Sequence, residues 1–138
     1  MFVYNIYTDM INQKSREKIS RIRQQIYQLS RARETQLKRL LHPKPMIIGS
    51  LYEVYKTCSK ANCCCKKGQK HGPFFALSIS IDAKRTVKMV KKKDLTVVRK
   101  KALAYKAFQQ GSARIRKTNK EVDILLEQIK QEFMEEYN

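Results

Sequence analysis

The sequence has no tryptophan, and only four glycines, three prolines and two histidines among 138 residues. That scarcity of Gly and Pro excludes a loop-rich or collagen-like scaffold and favours long regular segments. Acidic residues are short as well: twelve Asp and Glu stand against thirty Lys and Arg, a formal charge of +18. No apolar run approaches the roughly 20 residues that span a bilayer. The start, MFVYNIYTDMINQKSR, is apolar for only a few residues, has no basic leader and is broken by Asp9. A cytoplasmic location without membrane attachment is therefore expected, where thiols stay reduced and a disulfide framework is disfavoured. Also missing are a Gly-rich phosphate loop, a Ser-His-Asp set and an acidic cluster suited to two-metal chemistry. The expectation is a protein that is not an enzyme.

What is present in excess is positive charge. Solubility calls for net charges of only about 2–8 on a small domain, so +18 implies an anionic partner that relieves the self-repulsion. Nucleic acid, DNA first, is the expected partner, ahead of an anionic membrane surface.

The chain divides by pattern into three regions: a basic helical arm at 1–45, a β module at 46–93 and a second helical arm at 94–138. In the first, Ile19, Ile22, Ile26 and Leu29 follow a 3-4-3 spacing that Leu37, Leu40 and Leu41 resume. This predicts an amphipathic helix from about Ile11 to Leu41 with a narrow seam, stopped by Pro43 and Pro45. In the third, a helical piece bearing Val98, Ala102, Tyr105 and Phe108 leads to an expected break at Gly111-Ser112. Beyond it Ile115, Thr118, Val122, Leu125, Ile129 and Phe133 form a second seam in an acidic tail. A basic and an acidic seam-bearing helix are expected to pair as an antiparallel coiled coil, within one chain or across a homodimer.

The middle region changes period. Alternation in ALSISI marks a half-buried strand, RTVKMV a second joined to it through Asp82-Ala83-Lys84, and MIIGSLYEVY a third. A hairpin over 74–90 with 46–55 beside it makes a three-stranded antiparallel sheet, too small to be stable without help. The fold class is thus α+β: a small zinc-stapled sheet flanked by two long helical arms.

The staple is read from CSKANCCCKKGQKH at 58–71, which holds all four cysteines and one of the two histidines. Cys58, Cys63, Cys65 and His71 offer three thiolates and an imidazole, a set that tetrahedral Zn2+ accepts. Neighbouring side chains diverge, so Cys63 and Cys65 can face one centre while Cys64 points away. Surrounding lysines are expected to lower the thiol pKa values. An iron–sulfur cluster would force Cys64 and a neighbour onto one centre, and a catalytic zinc would need a base where the nearby carboxylates are only Glu53 and Asp82. Structural zinc is the expected cofactor.

The segment GSLYEVYKTCSKANCCCKKGQKHGPFFALSIS, followed by KRTVKMVKKKDL, resembles an uncharacterised family of short bacterial and archaeal proteins known only as a domain of unknown function. The family pattern is Cys-Gly-Lys-Pro-x-Cys-x-Cys, then His-Gly-Pro-Tyr-Tyr and a basic Thr-Val hairpin, and it is matched over about 46–108. Ser59, Ala61 and Phe74-Phe75 depart from it, and Cys64 falls where the family has a basic residue. The resemblance implies a zinc-stapled accessory protein of transposons or other mobile elements, with a transposase or recombinase as protein partner.

For nucleic-acid contact the expected residues are Lys66, Lys67 and Lys70 on the cysteine loop, with Lys84, Arg85, Lys88, Lys91, Lys92 and Lys93 along the hairpin and its exit. In an extended segment Lys84, Lys88 and Lys92 would share one face and follow phosphates. Tyr52, Tyr55, Phe74 and Phe75 could stack on unpaired bases, but a core beneath the cysteine loop is the favoured reading for them. The alternative function is a helical adaptor that docks a protein partner.

Overall fold

The computed structural model describes the backbone of residues 2–137 and the side chains of 12–137. It is α+β: helix α1 (Phe2–Leu40), strands β1 (Ser50–Lys56), β2 (His71–Ile81) and β3 (Lys84–Val90), then helix α2 (Leu95–Phe133). Short 3-10 turns at Cys64–Lys67 and Lys92–Asp94 lead into β2 and α2. The chain forms two compact units, residues 42–110 and the two remaining segments together. No helix among the described residues is long and apolar enough to cross a membrane.

In the helical unit a row of half-buried or buried positions of α1 comprises Ser15, Ile19, Ile22, Ile26, Leu29, Arg33, Gln36 and Leu40, with Ser30 half-buried beside it. The strict 4-3 spacing of the row is a heptad seam, but three of its slots are polar. In α2 the matching row is Gly111, Ile115, Thr118, Val122, Leu125, Ile129 and Glu132. Contacts between the rows run in opposite chain directions: Ser15 Oγ donates to Glu132 at 3.0 Å, Lys18 pairs with the same carboxylate, and Arg33 donates to Asn119 Oδ1 at 2.9 Å.

Several expectations change here. Helix α1 starts at Phe2, well before Ile11. Leu37, Leu41 and Phe133 lie outside the seam and are exposed; apolarity alone suggested them, but heptad phase hands their slots to Gln36, Leu40 and Glu132. The break at Gly111-Ser112 does not occur, and α2 runs through it. Gly111 is there for closeness rather than flexibility. A Cβ on it would sit 2.5 Å from Gln36 Nε2 and 2.9 Å from Leu40 Cδ2.

In the other unit the strands form a meander in the order β1-β2-β3, with both neighbouring pairs antiparallel. The first strand begins at Ser50 rather than Met46, and β2 begins at His71, so the hairpin is longer than 74–90. Its loop is two residues, Asp82 and Ala83, both at positive φ (48° and 64°). That is the twist-matched I′ geometry, reached without the usual glycine. Lys84 belongs to β3, opposite Ile81.

Opposed residues of an antiparallel pair share a face, so the register sorts the sheet. Leu51, Leu77 and Lys88 form one row, and Glu53, Phe75 and Val90 the next. This face meets the start of α2: Leu77 and Ala102 are buried, Arg99 lies 5.1 Å from the centre of the Phe75 ring, and Ile47 N–H donates to the Lys101 carbonyl. The opposite face carries Ser50, Ser78 and Val87 in one row, Tyr52, Ala76 and Met89 in the next, and Val54 with Phe74 in a third.

Candidate metal centre and basic surface

The connection from β1 to β2 folds back on itself. Cys63 caps a 3-10 turn over Cys64–Lys67, Lys66 N–H donates to the Cys63 carbonyl at 3.1 Å, and Gly68 ends the turn in the left-handed region at φ 98°. Residues one and two past a turn's start project in different directions, and the turn uses that: Cys65 is buried, Cys63 half-buried and Cys64 exposed. His71 opens β2 beside Lys56 of β1. Gly72 follows at φ 145°, where a Cβ would lie 2.8 Å from the Tyr55 ring and 3.0 Å from the Val54 carbonyl oxygen. Only glycine lets the chain pass there and still aim His71 at the loop.

The result is that Cys58, Cys63, Cys65 and His71 present four ligand atoms that all lie within 4.8 Å of one another. The Cys58 and Cys65 sulfurs are 3.5 Å apart, and Cys63 Sγ is 3.1 Å from His71 Nε2. Tetrahedral zinc with metal–sulfur bonds of about 2.3 Å separates two thiolates by about 3.8 Å, so little movement would seat an ion. These are the four residues expected from the spacing, and Cys64 stands outside them.

The thiols are not equivalent. Hydrogen bonds from the Cys65 backbone N–H, then from the Cys58 and Cys65 thiols, hold the Cys63 thiol down at about 7. The Lys60 backbone N–H draws the Cys58 thiol down, but hydrogen bonds with Cys65 and Cys63 and partial burial outweigh it, and the net shift is upward. Cys64 is raised, chiefly by hydrogen bonding to Cys63. The expected lowering by lysines is therefore corrected at Cys63: its thiol is lowered by hydrogen bonds from the Cys65 backbone and the neighbouring thiols.

All nine of the basic residues expected to meet nucleic acid (Lys66, Lys67, Lys70, Lys84, Arg85, Lys88, Lys91, Lys92 and Lys93) are exposed. Among the described residues, the three ion pairs are Lys18–Glu132, Lys38–Glu34 and Lys130–Glu127, none of which uses any of the nine. Residues 42–110 hold sixteen of the thirty Lys and Arg but only three acidic residues, Glu53, Asp82 and Asp94, so thirteen of the +18 sit in this unit. The nine do not form one row. Lys84 and Lys88 lie on the Leu77 face, Arg85 lies on the opposite face, and Lys92 is in a 3-10 turn because β3 ends at Val90. The expected Lys84–Lys88–Lys92 row thus stops at its second member.

The aromatics depart further from expectation. Phe75 alone is half-buried, under Arg99, while Tyr52, Tyr55 and Phe74 are exposed. Tyr55 donates its hydroxyl to Glu53 at 3.1 Å, which raises its pKa. Among the described residues these four aromatics do not form the expected core beneath the cysteine loop, and the sheet is closed on its α2 side by aliphatic Leu51, Leu77 and Ala102.

The family described as a domain of unknown function (DUF6788) matches residues 13–100, more than half of the chain. The match begins far inside α1, so the helix belongs to the shared unit and the likeness is not confined to 46–108. No curated protein and no solved structure matches.

Proposed function

The chain belongs to the DUF6788 family, and we propose that it is a non-enzymatic, zinc-stabilised nucleic-acid-binding protein, with DNA as its first target. The observation that carries the reading is the concentration of unpaired positive charge on residues 42–110 around a compact Cys3His cluster. Zinc is the ion of choice because three thiolates and one imidazole suit it, and four protein ligands leave no open position for catalysis. Its role would be to fasten the Lys56 end of β1 to the His71 start of β2, since three short strands alone are marginal. The exposed Cys64 speaks against a four-thiolate iron–sulfur cluster. A reducing compartment such as the cytoplasm fits free thiols. The two heptad rows would close as an antiparallel coiled coil, with the Arg33–Asn119 bond fixing register.

The reading is tested by fluorescence anisotropy of the zinc-loaded protein with duplex DNA, single-stranded DNA and hairpin RNA over a salt series. Replacing Lys88, Lys91, Lys92 and Lys93 by Gln should weaken binding and flatten the salt slope by about 3–4. No binding to any of the three near physiological salt would refute it.

A second reading rests on Tyr27, Ile124, Leu126 and Phe133, apolar residues exposed on the helices. They favour a helical adaptor docking a protein partner, which the family's expected association with mobile elements would make a transposase or recombinase. The same lysine variant separates the two, because partner binding would survive it.

A further inference from the structure

The sheet has one face against α2 and one face open, and the composition of the open face is unusual. Across its centre run Tyr52, Ala76 and Met89, with Phe74 diagonal to Tyr52 and Val87 two residues from Met89. Ala76 is fully buried although it faces outward from the helix, while Tyr52, Phe74, Val87 and Met89 are 37%, 44%, 49% and 48% exposed. Ala76 sits between Tyr52 and Met89 on the central strand, and these apolar residues together make an apolar floor. Four exposed apolar side chains gathered on one face of a strongly charged protein are the kind of surface that serves as a contact site.

Two cations border the floor. Lys56 extends its ammonium to within 3.9 Å of Met89 Sδ, and Arg85, in the row beyond Val87, donates Nε–H to Ser78 Oγ at 3.0 Å. No acidic residue lies on this face: Glu53 is in the Phe75 row on the other side, and Asp82 is in the hairpin loop. Apolar partners of the ordinary kind do not need a cationic rim without a single counter-charge. A polyanion that carries flat rings does.

We propose, resting on the nucleic-acid reading above, that the open sheet face is a stacking platform for unpaired bases, so that the segment bound there is single-stranded. Tyr52 and Phe74 occupy diagonal positions on neighbouring strands, whose spacing is about 7–8 Å, so the two rings offer separate platforms for two splayed bases. Lys56 and Arg85 then meet phosphates at opposite ends of the floor. Single-stranded DNA and RNA share this chemistry. Every base has a π-face, so the contact is tolerant of sequence.

The test uses the full-length zinc-loaded protein with oligo-dT, oligo-U, oligo-dU and a duplex of equal length at several salt concentrations. The unmodified protein should prefer the single strands, and comparing oligo-U with oligo-dU, which differ only in the 2′-OH, identifies the sugar. Tyr52→Ala and Phe74→Ala should each weaken single-strand binding about tenfold and leave duplex affinity and salt slope unchanged. Tyr52→Trp, the only tryptophan in the chain, should bind like the parent and lose fluorescence when oligo-dT stacks on it. Thermal melts and zinc content of each variant establish that the fold is kept. Tighter binding to duplex, or variants that hold oligo-dT as well as the parent does, would overturn the platform while leaving the nucleic-acid reading intact. Absence of binding to all of these ligands would remove both. A parent that sediments as a dimer, converted to monomer by Tyr52→Ala with Phe74→Ala, would show instead that a second copy covers the face.

Discussion

Cys64 illustrates how one residue is excluded from a site by geometry that neighbours share. It sits between two members of the Cys58, Cys63, Cys65 and His71 cluster, yet the 3-10 turn that starts there points it to solvent. Cobalt titration, followed through thiolate charge-transfer absorption, should therefore give the parent spectrum in Cys64→Ser. Cys63→Ser should weaken metal binding by more than about 100-fold, the upper end of what loss of a mere supporting contact costs. The clustering of Cys58, Cys63, Cys65 and His71 was legible in the spacing of the thiols and His71. The inequality of their acidities was not, because it depends on which backbone N–H the turn delivers to which sulfur.

At the level of the element, heptad phase outranks hydrophobicity. Leu37 and Phe133 look like seam residues, but the rows are continued by Gln36 and Glu132, and Glu132 gathers Ser15 and Lys18 from the opposite helix. Those bonds hold the Glu132 carboxyl below the usual carboxylate range, Lys18 first and Ser15 next. Gly111 marks a point of close approach between the helices. Gly111→Leu should destabilise the protein by about 2 kcal/mol in denaturant melts through overpacking. Gly111→Ala should stay within about 1 kcal/mol of the parent, since both crowded atoms end flexible side chains and alanine recovers helix propensity. The existence of both helices could be read from periodicity; the continuity of α2 through Gly111 could not, because a glycine that breaks a helix and one that admits a neighbouring helix are the same letter.

Across the whole molecule, positive charge and the Cys3His cluster are concentrated in one of the two units. The unit at 42–110 carries thirteen of the eighteen net positive charges and the Cys3His cluster, while nine of the twelve acidic residues lie in the helical unit. If zinc fastens the sheet, chelation should raise deuterium uptake throughout β1, β2 and the cysteine loop within minutes. Residues 15–40 of α1, held by their own seam, should exchange as before. Apparent binding energies of about 10–16 kcal/mol for structural zinc are ample for a sheet of this size. Equal loosening of both units would show that the metal does not act locally.

Composition, periodicity and ligand spacing alone determined the α+β class, the three strands, both long helices, the four clustered ligands and the basic character, because each depends on near neighbours in the chain. The tertiary structure decided which face of the sheet is left open, and with it the fates of Tyr52, Phe74 and Phe75. Strand alternation states that two faces differ, but the packing of α2 against Leu51 and Leu77 chooses which of them is covered. Burial is a property of what arrives from elsewhere in the chain, and no local pattern encodes it.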